Sequence, residues 1–323
     1  MTRMDEVNPV AGILPIKNGL PWVQNIERTI LPSLGKSREL IVIDDGSTDG
    51  TFEKLRQIAK RNEQIVLVKN RNQGLCAALN YGLEITSSQF VARFDIDDDY
   101  LPNRVDEQIT LLKNDCVASF TDYQIIGMNN QNLGIIHSPI FEKQTALSLI
   151  SSERTAHPSA IINKSAVKEV GGYRESDFPV EDLSLWIRLL KVGTLRTLPA
   201  VKLKYRLHGK SVTALNMQLT LEKTKSLINN NQIRLVFNQI SQDLPWFLEQ
   251  YSNENLSQLR KVLFLRDLYI ASEIFDEQKF KKNLLRQIYP IAYRDLIGFL
   301  GVSIETIYFK LKRDYYRKHN FGD

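Results

Sequence analysis

The chain is poor in cysteine, with only Cys76 and Cys116 in 323 residues. Two thiols cannot build a disulfide framework, which favours a reducing compartment and predicts a cytoplasmic location. Long apolar runs are missing too. No window approaches the ~18 consecutive apolar residues of a membrane span, and MTRMDEVNPV has no apolar core of signal-peptide length. Neither a transmembrane helix nor a leader is expected. Glycine-rich phosphate loops are absent: no GxGxxG follows the first apolar strand, and there is no Walker A pattern. A strong excess of one charge is lacking over residues 1–214, where 26 Lys and Arg stand against 25 Asp and Glu. That balance argues against a phosphate-backbone footprint, so no nucleic-acid partner is expected.

What is present is 43% hydrophobic content, enough for a large core, in a length that suggests two domains or one large domain with an appendage. The first hundred residues alternate short apolar runs with helical spacing. VAGIL (10–14), ELIVI (39–43), QIVLV (64–68) and FVARF (90–94) read as strands. Residues 22–34, 51–61 and 75–85 read as the helices between them, with Ser47 and Asp49 offering caps to the second. This βαβαβαβ order predicts an α/β fold on a doubly wound, mostly parallel sheet with helices on both faces. Ligands bind such sheets at the carboxyl ends of the strands. Four polar clusters sit at those ends: Pro15–Asn18, Asp44–Ser47, Arg71–Gly74 and Asp95–Asp99.

The last cluster holds four carboxylates in five positions, Asp95, Asp97, Asp98 and Asp99. Such a group repels itself unless a cation or a hydrogen-bond network compensates it. It reads as a capped acidic turn or as a site for Mg²⁺ or Mn²⁺, hard ions that bridge one or two carboxylates to substrate phosphates. In a chain without phosphate-binding glycines, the metal reading points to a nucleoside-diphosphate ligand.

Seven segments in order carry a family resemblance: VAGILPIKN, ELIVIDDGSTDGT, NQGLCAALNYGLE, FVARFDIDDDYLPNRVDEQ, HPSAIINKSAVKEVGGYRE, EDLSLWIRLLKVG and YRLHGKSVT. Together they resemble the family 2 glycosyltransferases of GT-A fold, in particular the bacterial branch that builds capsule, lipopolysaccharide and related surface polysaccharides. The resemblance implies inverting, metal-dependent transfer of a sugar from a nucleotide-sugar donor, UDP-linked by default, to a glycan or lipid-linked acceptor. It implies that Asp44 hydrogen-bonds the nucleotide base and that Pro15 and Gly74 approach the nucleotide with backbone. Glycine at 74 is also what a tight strand-to-helix turn needs. Asp97 is implied as metal ligand, Asp95 as a ribose or metal contact, and Asp98 and Asp99 as supports.

Asp182 corresponds to the general base, with Glu181 as the fallback. Both open a helix, where a carboxylate can serve simply as a cap with a lowered pKa. His208 is implied near the diphosphate or metal with Lys210 assisting, or else is a solvated loop residue. His157 shapes the acceptor loop. Ile16-Lys17 replace the family's usual Thr-Tyr or Ser-Tyr, so Lys17 is a candidate base or phosphate contact. The stretches 129–138 and 202–213 read as loops able to order over donor.

The motifs end near residue 214, dividing the chain into a catalytic region, 1–214, and a helical C-terminal region, 215–323. The latter carries 16 Lys and Arg against 12 Asp and Glu, and interleaves bases with aromatics over 308–319. It is a candidate for acceptor binding, homo-oligomer contact or peripheral attachment to the inner face of the cell membrane. A sugar-phosphate nucleotidyltransferase is the alternative enzyme, but its glycine-rich, arginine-containing loop is absent after the first strand. A non-catalytic binding protein of the same fold is the other alternative.

Overall fold

A computed structural model of the chain describes residues 10–139, 142–151, 155–228, 231–242 and Asp267. The chain forms two compact units, one of residues 1–140 and 154–207 and one of residues 141–153 and 208–323.

The first unit is built on a nine-stranded sheet. Strands β1 (Val10–Ile16), β2 (Leu40–Asp44), β3 (Ile65–Lys69) and β4 (Phe90–Arg93) form its parallel half in the order β3-β2-β1-β4. β1, β2 and β4 are buried along their whole length, as their unbroken apolar runs require. Helices α2 (Thr51–Ala59) and α3 (Leu75–Ile85) connect them, and α3 packs on β1 through Gly82. A Cβ added there would come within 2.9 Å of Ile13 Cδ1, so only glycine permits this approach.

The segment before β2 is not one helix. Pro21 and Pro32 punctuate it, giving a 3-10 turn at Leu20–Trp22, a π turn at Ile26–Ile30 and a short α1 (Leu31–Leu34). Strand β1 runs through Pro15 instead of stopping before it. Gly12 and Ile16 bond towards β2, whereas Ile13 accepts the Phe94 N–H on the β4 side. The missing N–H of Pro15 therefore faces the side where β4 has already ended, so no ladder bond is lost.

Beyond β4 the sheet becomes mixed. β5 (Asp99–Tyr100), β6 (Cys116–Ile126), β7 (Asn132–Ile136), β8 (Ile161–Asn163) and β9 (Thr194–Arg206) complete it. β8 runs antiparallel to β4 and β6, β7 to β6, and β5 to β9, while the long β6 and β9 pair in parallel. The stretches expected as loops are thus partly strand, 132–136 in β7 and 202–206 in β9. Helices α4 (Arg104–Gln108), α6 (Lys164–Glu169) and α7 (Glu181–Leu189) belong to the same unit.

The second unit is helical where described: α5 (Glu142–Ser151), α8 (Val212–Leu215), α9 (Met217–Ile228) and α10 (Asn231–Gln242). Leu147 and Leu149 of α5 and Ile233 and Phe237 of α10 are fully buried. The helices expected beyond residue 245 and the basic, aromatic segment 308–319 lie outside the described residues. Among the described residues no helix is long and apolar enough to cross a membrane.

Candidate active site

The parallel half brings the ends of β1 to β4 to one edge. Asp44 closes β2, in register with Ile16 of β1 and Lys69 of β3. Its Oδ2 accepts the Ser47 N–H at 3.3 Å, whereas Oδ1 is buried with no hydrogen-bond partner. An unsatisfied buried oxygen costs about 1–3 kcal/mol, so this atom calls for an N–H from a ligand. Asp45 is fully used. Its Oδ1 accepts from Asn70 Nδ2 at 2.7 Å and from the Gly74 N–H at 3.0 Å, and Lys17 Nζ lies 3.9 Å from Oδ2. The turn-holding role thus falls to Asp45. Gly74 has φ +111°, and a Cβ there would lie 3.3 Å from Glu175 Oε1. Its N–H is committed to Asp45, so backbone conformation and crowding both demand glycine.

The loops after β1 and β2 are laced together. Asn18 N–H donates to Ser47 Oγ (2.9 Å), Thr48 N–H to Asn18 Oδ1 (2.8 Å) and Leu20 N–H to Asp49 Oδ2 (3.2 Å). Ser47 is spent on this lacing. Asp49 also accepts the Thr51 N–H at 3.0 Å, while the cap position of α2 is Gly50.

Arginines compensate the acidic run. Arg93 Nη2 donates to Asp95 Oδ1 at 2.7 Å, and the Asp95 N–H donates to the Tyr100 hydroxyl at 2.7 Å. Tyr100 and Phe94 are both covered by the fully buried guanidinium of Arg104, at 5.0 and 4.4 Å. Arg28 Nη2 donates to Asp99 Oδ1 at 2.6 Å. From the end of β9, Arg206 donates its N–H to Asp98 Oδ1 (2.8 Å), Nε to the Asp97 carbonyl (2.9 Å) and Nη2 to Asp99 Oδ2 (3.2 Å). Asp98 is 2% exposed, and its Oδ2 has no partner. Burial, with the charges of Asp97 and Asp95, pushes its carboxyl well above the usual range.

Glu181 and Asp182 open α7, but neither caps it; the cap position is Val180, with no side-chain cap. Asp182 Oδ1 accepts the Leu183 N–H at 2.7 Å. Burial raises the Asp182 carboxyl, the reverse of what a helix N-terminus alone would do. Glu181 is 4% exposed, its Oε2 lacks a partner, and burial followed by the Asp182 charge pushes it up to about 8. Among the described residues neither forms an ion pair. Arg93 and Asp95 both act on Asp182 and Glu181 through charge, so the end of β4 and the start of α7 share one site. His157 is buried beside α7, bonding the Tyr173 hydroxyl at 2.9 Å and meeting Trp186 edge-on; burial lowers the imidazole pKa well below its ordinary value.

Pro15, Lys17, Asp44 and Gly74 therefore gather at the ends of β1 to β3, and Asp95, Asp97, Asp182 and Glu181 at β4 and α7. His208 and Lys210 belong to the second unit, where the His208 carbonyl accepts the Ser211 N–H just before α8. Arg93 and Arg206, embedded in the R-x-D-x-D-D and YRLHGK segments, had no role assigned from sequence. Their signal was proximity to acidic and histidine motif positions.

Solved glycosyltransferases share this architecture. A mannosyltransferase from Pyrobaculum calidifontis, in complex with GDP-Man and Mn²⁺, matches 95% of this chain and 84% of its own at 15% identity and a TM-score of 0.53. TarS 1–349 from S. aureus, in complex with UDP-GlcNAc, matches 88% and 91% at 13% identity and 0.54. The fold is therefore the GT-A fold. The family model of glycosyl transferase family 2 matches residues 13–171, just under half of the chain. An uncharacterised glycosyltransferase of Haemophilus influenzae is 26% identical over 253 residues, 75% of this chain and 78% of that protein. TuaG of Bacillus subtilis, assigned to teichuronic acid biosynthesis, is 27% identical over 210 residues, 64% of this chain and 81% of its own. A Rickettsia felis relative is 26% identical, and the match spans a third of its length (33%).

Proposed function

We propose that this glycosyltransferase moves a sugar from a UDP-sugar to a hydroxyl of a glycan or lipid-linked saccharide, with inversion, in the synthesis of a cell-surface polysaccharide. The observation that carries the reading is the pairing of an arginine-compensated acidic run with the buried carboxyl pair Glu181–Asp182, both raised by burial, in one site. Asp44 receives the base through its unpartnered Oδ1, flanked by Pro15 and Gly74, with Lys17 within reach of the phosphates. Asp182 accepts the proton of the attacking hydroxyl; a carboxylate raised by burial is a better base than a solvated one. Glu181, protonated at neutral pH, donates a hydrogen bond rather than adding charge. The attack comes from the face opposite the leaving diphosphate, which inverts the anomeric centre. His157, neutral and buried, shapes the acceptor side without moving a proton.

Among the described residues no group of three His, Cys, Asp or Glu side chains could hold a metal on its own. The donor set nevertheless fits Mn²⁺ or Mg²⁺. Asp95 and Asp97 are hard oxygen donors, Asp98 Oδ2 is an unpartnered buried oxygen, and such ions draw remaining ligands from diphosphate and water. The ion, when bound, would offset the charge that builds on the departing nucleoside diphosphate. The relatives support this reading: TuaG is assigned to teichuronic acid biosynthesis, and the two solved structures hold GDP-Man with Mn²⁺ and UDP-GlcNAc.

The test is a thermal-shift panel of UDP-, GDP- and dTDP-sugars with and without Mn²⁺. A UDP-sugar with Mn²⁺ is expected to stabilise the protein most. Stabilisation by none of the six combinations of three nucleotide classes with or without Mn²⁺ would end the transferase reading.

A further inference from the structure

Arg206 is 3% exposed and is the last residue of β9. Its bonds run in two directions. Towards the acidic run it reaches Asp97 O, Asp98 Oδ1 and Asp99 Oδ2. Towards the turn between β6 and β7 its Nη1 donates to Gly127 O (3.1 Å), Met128 O (3.4 Å) and Asn130 Oδ1 (2.7 Å). Its guanidinium also lies over the Trp22 ring at 5.0 Å, next to the first-strand loop. Asp98 and Asp99 are held by carboxylate oxygens, Asp97 by its main-chain oxygen. Arginine's planar fork can satisfy acceptors on several sides at once; a lysine ammonium cannot reach them together.

We infer that Arg206 is a positioning residue that joins the acidic run to the β6–β7 turn, its guanidinium taking Asp99 as counter-ion and holding the Asp97 carbonyl while its main-chain N–H holds Asp98, and so sets the metal-dependent part of donor affinity. The inference rests on the reading of Asp95 and Asp97 given above. The residues that would hold an ion keep their places because the neighbouring Asp99 carboxylate and the Asp97 carbonyl are already tied to a resident cation.

The experiment titrates UDP into full-length wild type, Arg206→Gln and Arg206→Lys by calorimetry, with and without Mn²⁺. UDP affinity without metal is expected to stay unchanged in both variants. The gain on adding Mn²⁺ should fall by at least about tenfold in both, as when outer-shell partners of a metal site are removed. A purely structural loss would lower both affinities alike through the folded fraction, and that result overturns the inference, as does a full Mn²⁺ gain in either variant. Hydrogen exchange without ligand provides a second reading: amides of 96–99 and 127–130 should speed up together in Arg206→Gln, and protection unchanged in both overturns the joint. If Arg206→Gln does not fold, Asp99→Asn replaces it, removing one counter-ion and touching neither predicted ligand; a Mn²⁺ gain equal to wild type there counts against the inference. Wild type that gains nothing from Mn²⁺ with UDP or GDP defeats the metal reading and this inference with it, whereas intact wild-type gain with intact variants defeats this inference alone.

Discussion

The carboxylates at the end of β4 and those at the start of α7 have the same chemistry and opposite surroundings. Asp95 and Asp99 are ion-paired with Arg93, Arg28 and Arg206 at 2.6–3.2 Å. Glu181 and Asp182 form no ion pair among the described residues, and burial raises both. Fixed cations hold Asp95 and Asp99 in place. Buried and without an ion-pair partner among the described residues, the second group holds protons more tightly despite the nearby Arg93 charge. In the proposed mechanism one site makes a metal platform and a proton acceptor from carboxyl groups alone, by pairing arginines with one set and burying the other.

The sharpest break of this contrast is Asp182→Asn. It should leave UDP binding intact and cut transfer by about 10²–10⁴-fold, the usual contribution of a general base, read by comparing nucleotide titration with product formation. Asp97→Asn should do the reverse, removing the Mn²⁺-dependent gain in UDP affinity while UDP alone still binds; retained metal dependence would remove Asp97 from the platform.

Glu181→Gln tests the buried side through stability. Glu181 moves from its ordinary 4.5 to about 8 on folding. Between those values the folded protein keeps a proton that the unfolded chain has released, so raising the pH pulls towards unfolding. Wild-type stability should fall by at most about 1.4 kcal/mol per pH unit across that window and level off above it. Glutamine mimics the protonated form, so the variant should show a flatter melting profile between pH 5 and 8. An unchanged slope would mean that Glu181 ionises normally. The smallest effect belongs to Arg28→Gln. Its pair with Asp99 lies on an exposed guanidinium, and such pairs contribute about 0–1 kcal/mol, so the melting temperature should barely move.

Much of this was legible in residue order. The apolar runs of β1 to β4 and the helix 75–85 stand where spacing put them, because a buried parallel strand and a core-facing helix each write one periodicity into the chain. The strand-end clusters followed from the same reading. Pro15 misled because a proline stops a strand only where a neighbour needs its N–H, and nothing near residue 15 tells that β4 ends at Arg93. The pairing of β6 with β9 joins residues some 80 positions apart, so Arg206 could not be connected to Asp99 without the fold. The direction of the Asp182 shift was hidden for a similar reason. A helix N-terminus is visible in sequence, whereas the desolvation that outweighs it depends on what packs above.

The hydrogen bonds that lace Asn18, Leu20, Ser47, Thr48 and Asp49, and those that run from Asp45 to Asn70 and Gly74, have a dynamic consequence. Loops sharing partners cannot fray singly. The nucleotide edge should open and close as one cooperative unit, its amides exchanging with a common free energy rather than a ladder of separate ones.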